Sequence, residues 1–498
     1  MLFNSLQFLI FFPIVVGVYF IVPLKYRYVW LFVASYYFYM CWNVKYVLLL
    51  LFSTVITYLS GFFLQKISDG EESVQGKELK RRLCVAASFV LNLGVLFWFK
   101  YFEFAVQNIN HVLERLHITL LNPSFDIILP VGISFYTFQA LSYTMDVYRG
   151  EIRAERNFIK YALFVSFFPQ LVAGPIERSK NLLRQVNEEH RFSERRFCDG
   201  VYLMIWGYFL KLVVADRIAL FVDRVYGDIV QFGGVYLITA TVLFAFQIYC
   251  DFAGYSTIAM GAAEILGFDL MDNFNAPYFS GSVAEFWNRW HISLSSWFRD
   301  YLYIPLGGNR NGSVRRMFNL FVVFLVSGLW HGAEWSFVIW GLLHAVFQIV
   351  GNITKKFRDR LADIFWLRRD SFGHKIVKIL LTFICVDFAW IFFRAETIRQ
   401  AINVIKAMIQ SFNPWVLFDE SLYALVVSRN NFRMIIFGIF VLLVADYLKY
   451  KGICVRKKLQ EQSFLFRMVV LAGTIWMIFV VGIWGPNYID TSFIYFQF

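Results

Sequence analysis

The chain has 498 residues, of which 59% are hydrophobic, 20% aromatic and only 16% charged. Soluble domains carry about 25% charged residues, so this composition excludes an ordinary soluble globular protein. The 47 basic and 35 acidic residues leave a net charge of +12, but the basic residues fall between apolar runs. That pattern fits the positive-inside rule of multi-pass membrane proteins better than nucleic-acid binding.

Crossing a bilayer takes about 20 apolar residues. In chain order, strong runs cover 2–22, 28–42, 46–64, 83–104, 318–330, 336–350, 376–393, 434–448 and 466–483. Weaker runs cover 129–147, 158–172, 201–214 and 235–252. Together they predict an all-α polytopic protein with roughly 11–13 transmembrane helices plus re-entrant or amphipathic segments. The first residues lack a basic region and a small-residue cleavage site, so they read as a retained span. Residues 65–82 read as a charged, exposed loop, and 181–196 as a polar stretch able to hold a surface helix. If the basic loops face the cytoplasm, the N-terminus lies outside. We find no internal repeat and no soluble domain. Residues 1–498 read as one membrane-embedded domain, with a core over 130–350, further helices over 370–486 and an aromatic tail over 487–498.

The informative residues lie in the middle. FWNRWHISLSSWFRDYLYIPLGG (Phe286 to Gly308) carries His291, and FNLFVVFLVSGLWHGAEW (Phe318 to Trp335) carries His331. An ionisable side chain at membrane depth is costly and points to function. Helical periodicity over Phe286–Tyr303 predicts one amphipathic helix with Trp287, Trp290, Leu294, Trp297 and Tyr301 on one face. Pro305, Gly307 and Gly308 end it. Gly332 places His331 at a helix C-terminus. A neutral imidazole there can take the proton of a hydroxyl that attacks an activated acyl group. The plainer alternative is a histidine satisfied by hydrogen bonds in a helix bundle. His344, in WGLLHAVFQ, has no polar sequence neighbours and reads as packing.

Asn288, Arg289, Ser295 and Trp330 flank the two histidines. Gln139, in PVGISFYTFQ, and Asp251, in QIYCDFAGYS, add polar groups to apolar runs, as does Glu177 in FFPQLVAGPIER. Singly, each reads as helix–helix glue; together they suggest a polar interior. Arg299, Arg310, Arg315 and Arg316 follow the His291 segment and suit a phosphate-bearing donor, or simply a positive-inside loop. The six cysteines are scattered, and no Cys/His spacing suggests a metal. GxSxG, Walker, GxGxxG and HExxH motifs are missing from the sequence.

FWNRWHISLSSWFRDYLYIPLGG, LVAGPIER, QIYCDFAGYS and SGLWHGAEWSFVIWG resemble the membrane-bound O-acyltransferases. The match is nearest to the bacterial branch of alginate O-acetyltransferases and teichoic-acid D-alanyl transferases. The similarity runs over most of the chain and is densest from Pro130 to His344. It implies a helical shell around a central tunnel in a bacterial inner membrane. His331 matches the family's near-universal histidine, and His291 a second polar position that is asparagine in many eukaryotic relatives. The resemblance further implies a cytoplasmic thioester donor, either acetyl-CoA or an acyl carrier protein, with no bound cofactor. It implies an extracytoplasmic esterase-like partner and a polysaccharide acceptor, and no nucleic acid. The aromatic tail TSFIYFQF resembles tyrosine-bearing C-terminal segments of this branch, so Tyr495 is a possible acyl relay; a packing anchor is the plainer reading. The long extension past His344 favours a small acyl group, such as acetyl, over D-alanine. Two alternatives stay open: a D-alanyl transferase for teichoic acid, and a proton-coupled secondary transporter.

Overall fold

The computed structural model describes residues 1–71, 73–122, 129–172, 174–310, 312–366, 368–484 and 494. Every element among them is helical, and they form two compact units, residues 1–204 with 258–271, and residues 205–257 with 272–498.

In the first unit α1 (Leu6–Ile21), α2 (Arg27–Met40) and α3 (Tyr46–Asp69) lead into α4, Val74–Arg115, which a π-helical stretch at Phe97–Tyr101 interrupts. α5 (Ile133–Tyr148) and α6 (Phe158–Ser166) follow, with most of α7 (Glu194–Tyr208). Small polar residues join these helices inside the core. Ser53 donates to Asn92 Oδ1 at 2.6 Å, Tyr161 to Thr57 Oγ1 at 2.7 Å, and the Phe168 amide to Ser35 Oγ at 3.1 Å. Such bonds hold helices together where lipid offers no hydrophobic drive. Glu177 is buried in the turn beyond α6, where it accepts from the Met271 amide and, at 2.8 Å, from Asn181 Nδ2. Burial pushes its carboxyl up to about 6.

The second unit contains α8 (Asp216–Gly227), most of α9 (Gly234–Leu266), α10 (Val283–Arg289), α11 (Ile292–Phe298), α12 (Gly312–His331), α13 (Trp335–Ile353), α14 (Phe372–Arg394), α15 (Arg429–Tyr450) and α16 (Phe464–Val481). α9 has 33 residues and is largely buried. At ~1.5 Å per residue it is ~50 Å long, more than a bilayer core needs. Gly328 of α12 and Gly341 of α13 let two backbones touch. A Cβ on Gly341 would lie 2.3 Å from the Phe324 carbonyl oxygen, and one on Gly328 2.5 Å from that of Phe337.

Several sequence expectations change. Among the described residues eight helices are long and apolar enough to span, and α1 is a shorter apolar helix, against the expected 11–13. α2, α5 and α6 have 14, 16 and 9 residues; Pro130 and Gly132 precede α5, Pro169 follows α6, and both of these helices are largely buried. The charged loop at 65–82 shrinks to a turn. α3 runs to Asp69, and the Ser73 hydroxyl caps α4 by accepting from the Gly76 amide. Phe286–Tyr303 is not one helix: it breaks at Trp290–His291, between α10 and α11.

Candidate active site

His331 is the last residue of α12, buried with 2% of its surface exposed. Its Nδ1 lies 2.7 Å from the Ser327 carbonyl oxygen, one turn earlier. A carbonyl can only accept, so Nδ1 carries the hydrogen. The neutral ring therefore keeps its lone pair on Nε2. Aromatic rings wall the imidazole: Trp340 at 4.7 Å, Trp330 at 4.9 Å and Phe393 at 5.7 Å between centroids.

His291 lies 6.4 Å from His331, ring to ring, and is fully buried. Its backbone is left-handed at φ +43, which costs a non-glycine residue ~1–2 kcal/mol and needs support from its surroundings. Asn273 supplies that support. Its carbonyl accepts from the Ile292 amide at 3.0 Å, and its side-chain oxygen from Ser293 Oγ at 2.6 Å. Its Nδ2 donates to Ser256 Oγ at 3.0 Å. Phe252 meets the His291 ring edge-on at 4.6 Å, and Trp330 contacts both histidines.

The other sequence candidates divide. Ser295 joins the His291 turn, its amide donating to the His291 carbonyl at 2.9 Å. Asn288 is exposed, and Arg289 is occupied by Glu285 at 2.9 Å and by the Asn275 carbonyl at 3.1 Å. Neither faces the histidine pair through any of these contacts. Gln139 belongs to the first unit, where it donates to the Phe164 carbonyl at 2.6 Å and accepts from Gln170 at 3.0 Å. Arg299 pairs with Asp300 at 2.9 Å, and Arg310 is exposed. Arg315 and Arg316 are exposed at the start of α12, 16 and 15 residues before His331, hence ~24 Å from it along the helix. Tyr495 lies outside the described residues.

Asp251 takes part in a different arrangement. Lys211 Nζ is buried between Asp216 at 2.8 Å and Asp251 at 2.7 Å. The Ile494 amide donates to the other Asp251 oxygen at 2.7 Å. Nearby in the same unit, Tyr249 donates to Asp446 at 2.9 Å, and Lys449 to the Phe274 carbonyl at 2.7 Å. Lys211 escaped sequence reading because WGYFLKLVVADR looks like a span ending in a basic flank. Asn273, in MDNFNAP, carries no motif signal. His344, read as packing, accepts a hydrogen bond at Nδ1 from Trp287 Nε1 at 3.2 Å.

Residues 149–391 match the model of the MBOAT, membrane-bound O-acyltransferase family. The chain is 38% identical over 427 residues to a probable alginate O-acetylase AlgI of Pseudomonas syringae, covering 84% of this chain and 77% of that protein. It is 35% identical over 410 residues to a peptidoglycan O-acetyltransferase of Helicobacter pylori, covering 76% and 73%. To a teichoic acid D-alanyltransferase of Bacillus subtilis it is 27% identical over 295 residues, covering 55% and 71%.

Proposed function

We propose, for a chain that belongs to the membrane-bound O-acyltransferase family and is therefore a membrane-embedded acyltransferase, that it takes a small acyl group, acetyl, from a cytoplasmic thioester to the hydroxyls of a cell-envelope polysaccharide. Family membership replaces the transporter reading. The carrying observation is the Nδ1–Ser327 hydrogen bond of His331, which leaves Nε2 free of hydrogen to act as base. The hydroxyl of the attacking group gives its proton to Nε2 as its oxygen bonds the acyl carbon. The carbon–sulfur bond then breaks, and the thiolate leaves with the proton from Nε2. His291 binds or orients the reacting group.

The membrane is the bacterial inner membrane, and the donor is acetyl-CoA or an acylated carrier protein. The arginines at 315 and 316 serve its phosphate, which requires a donor arm that bridges ~24 Å. The acceptor belongs to the polysaccharide class, by likeness to the alginate and peptidoglycan enzymes named above; the lower identity to the D-alanyl transferase supports acetyl over D-alanine. Tyr495 relays the acyl group as a phenyl ester to an extracytoplasmic esterase-like partner; this rests on the resemblance of the tail. A phenoxide, with a parent pKa of about 10, leaves more easily than a sugar alkoxide.

The deciding experiment presents purified protein in vesicles with radiolabelled acetyl-CoA or acetylated carrier protein. Thiol release and label transfer support the reading. Wild-type protein that turns over neither thioester overturns it.

A further inference from the structure

His344 looks like packing in sequence, yet its ring is hydrogen-bonded to the segment that carries His291. Trp287 Nε1 can only donate, so the bond at 3.2 Å makes His344 Nδ1 an acceptor and puts the ring hydrogen on Nε2. Trp287 sits in α10, one turn before His291. The rings meet edge-on at 5.1 Å, and Phe286 stacks parallel to His344 at 6.2 Å. His344 is fully buried.

The two partners stand on different frames. α12 and α13 touch backbone to backbone at Gly328 and Gly341, and His331 and His344 each follow within a turn of those glycines. This closely packed helix pair thus bears both histidines. α10 is a separate seven-residue helix whose end runs into the strained backbone of His291. Asn273 holds the far side of that strain, at residues 292 and 293. On the near side, the Trp287–His344 bond ties α10 to the α12–α13 pair.

We infer that His344 is a positioning residue for acyl transfer: through its hydrogen bond with Trp287 it holds the His291 segment in register with His331. The inference rests on the functional reading given above. A misplacement of about 1 Å in a catalytic group can cost about 10²-fold in rate, so the bond acts on turnover rather than on donor affinity.

The test is a double-mutant cycle on purified protein in vesicles, with thioester turnover and thermal midpoint measured for each variant. His344→Phe keeps an aromatic ring and removes the acceptor. Trp287→Phe keeps an aromatic ring and removes the donor. Each is expected to lower kcat up to about 10²-fold with donor KM unchanged, and the double variant to be no slower than either single one. His344→Asn places an oxygen near the Nδ1 position and is expected to recover turnover. His344→Gln places its polar group near Nε2 and is not. Unchanged kcat in the single variants, additive losses, or recovery by Gln alone overturns the inference. If His344→Phe does not fold, Trp287→Phe with the Asn and Gln pair decides by the same outcomes. An inactive wild-type protein fells the functional reading first, and this inference with it. An active wild-type protein with silent variants fells this inference only.

Discussion

His331 and Ser327 are joined at 2.7 Å by a bond from the imidazole Nδ1 to the backbone carbonyl one turn earlier. Such a bond needs no other side chain. Any histidine ending a helix can make it, and it fixes the tautomer, with the hydrogen on Nδ1 and the lone pair on Nε2.

His331→Ala should lower acyl transfer by about 10²–10⁴-fold, the usual loss for a positioned base. The check is label transfer from the thioester by folded, monodisperse protein. A rate near wild type would end the assignment.

At position 291 the backbone selects as strongly as the chemistry. His291→Ala must hold φ +43 without a polar side chain, at ~1–2 kcal/mol. Asn adopts left-handed backbone more easily. His291→Asn should therefore keep the thermal midpoint within a degree or two of wild type, while His291→Ala melts lower; both should transfer more slowly. Equal melting of the two variants would show that the strain is not borne at this residue.

Lys211→Met should destabilise by about 3–5 kcal/mol, because it leaves two buried carboxylates without their cation. Adding Asp251→Asn should restore part of the loss. The measurement is thermal unfolding in detergent. A Lys211→Met protein as stable as wild type would contradict the ion cluster.

Glu177 makes a pH prediction. Its folded pKa of about 6 lies above the ordinary glutamate value of about 4.3, so its proton is bound more tightly in the folded chain. The stability it contributes is full below pH ~4.3 and is lost as pH rises through ~6, about 2 kcal/mol in all. Glu177→Gln should be stabilised relative to wild type at pH 7 and lose that advantage near pH 4.5. Thermal midpoints that track each other across this range would remove the claim.

Tyr495→Phe separates relay from anchor. It keeps the ring and removes the hydroxyl. The relay requires that the variant, which lacks the accepting oxygen, release no thiol by acyl transfer and leave the polysaccharide unacetylated. Polymer acetylation at the wild-type rate would make Tyr495 an anchor.

The long apolar runs were legible because a bilayer demands about 20 apolar residues in a row; the shorter runs at 158–172 and 129–147 imitate a span in composition and prove to be mostly buried helices. α3 and α4 outran their apolar cores because Gln65 and Lys66 prolong α3, while the Ser73 cap and the good helix formers Lys77–Arg82 start α4 ahead of its apolar run. The break at His291 was illegible for the opposite reason. No glycine or proline marks it, and Asn273, which imposes it, binds through tertiary contacts. His331 could be placed at a helix end from Gly332 alone. His344 could not be assigned a partner, since Trp287 lies 57 residues earlier and its own neighbours are apolar. Lys211 was hidden likewise: only Asp216 is close in sequence, and Asp251 and the Ile494 amide come from later in the chain.

That ion cluster also sets an order of events during synthesis. Lys211 and Asp216 leave the ribosome almost together and can neutralise each other before either meets lipid. Asp251 follows with the long apolar helix α9 and brings a second negative charge that meets the same lysine. Its remaining oxygen receives the Ile494 amide, so the cluster waits, with one carboxylate only half served, until residue 494 has been made. A nascent chain held short of that residue should be the form that quality-control proteases find first.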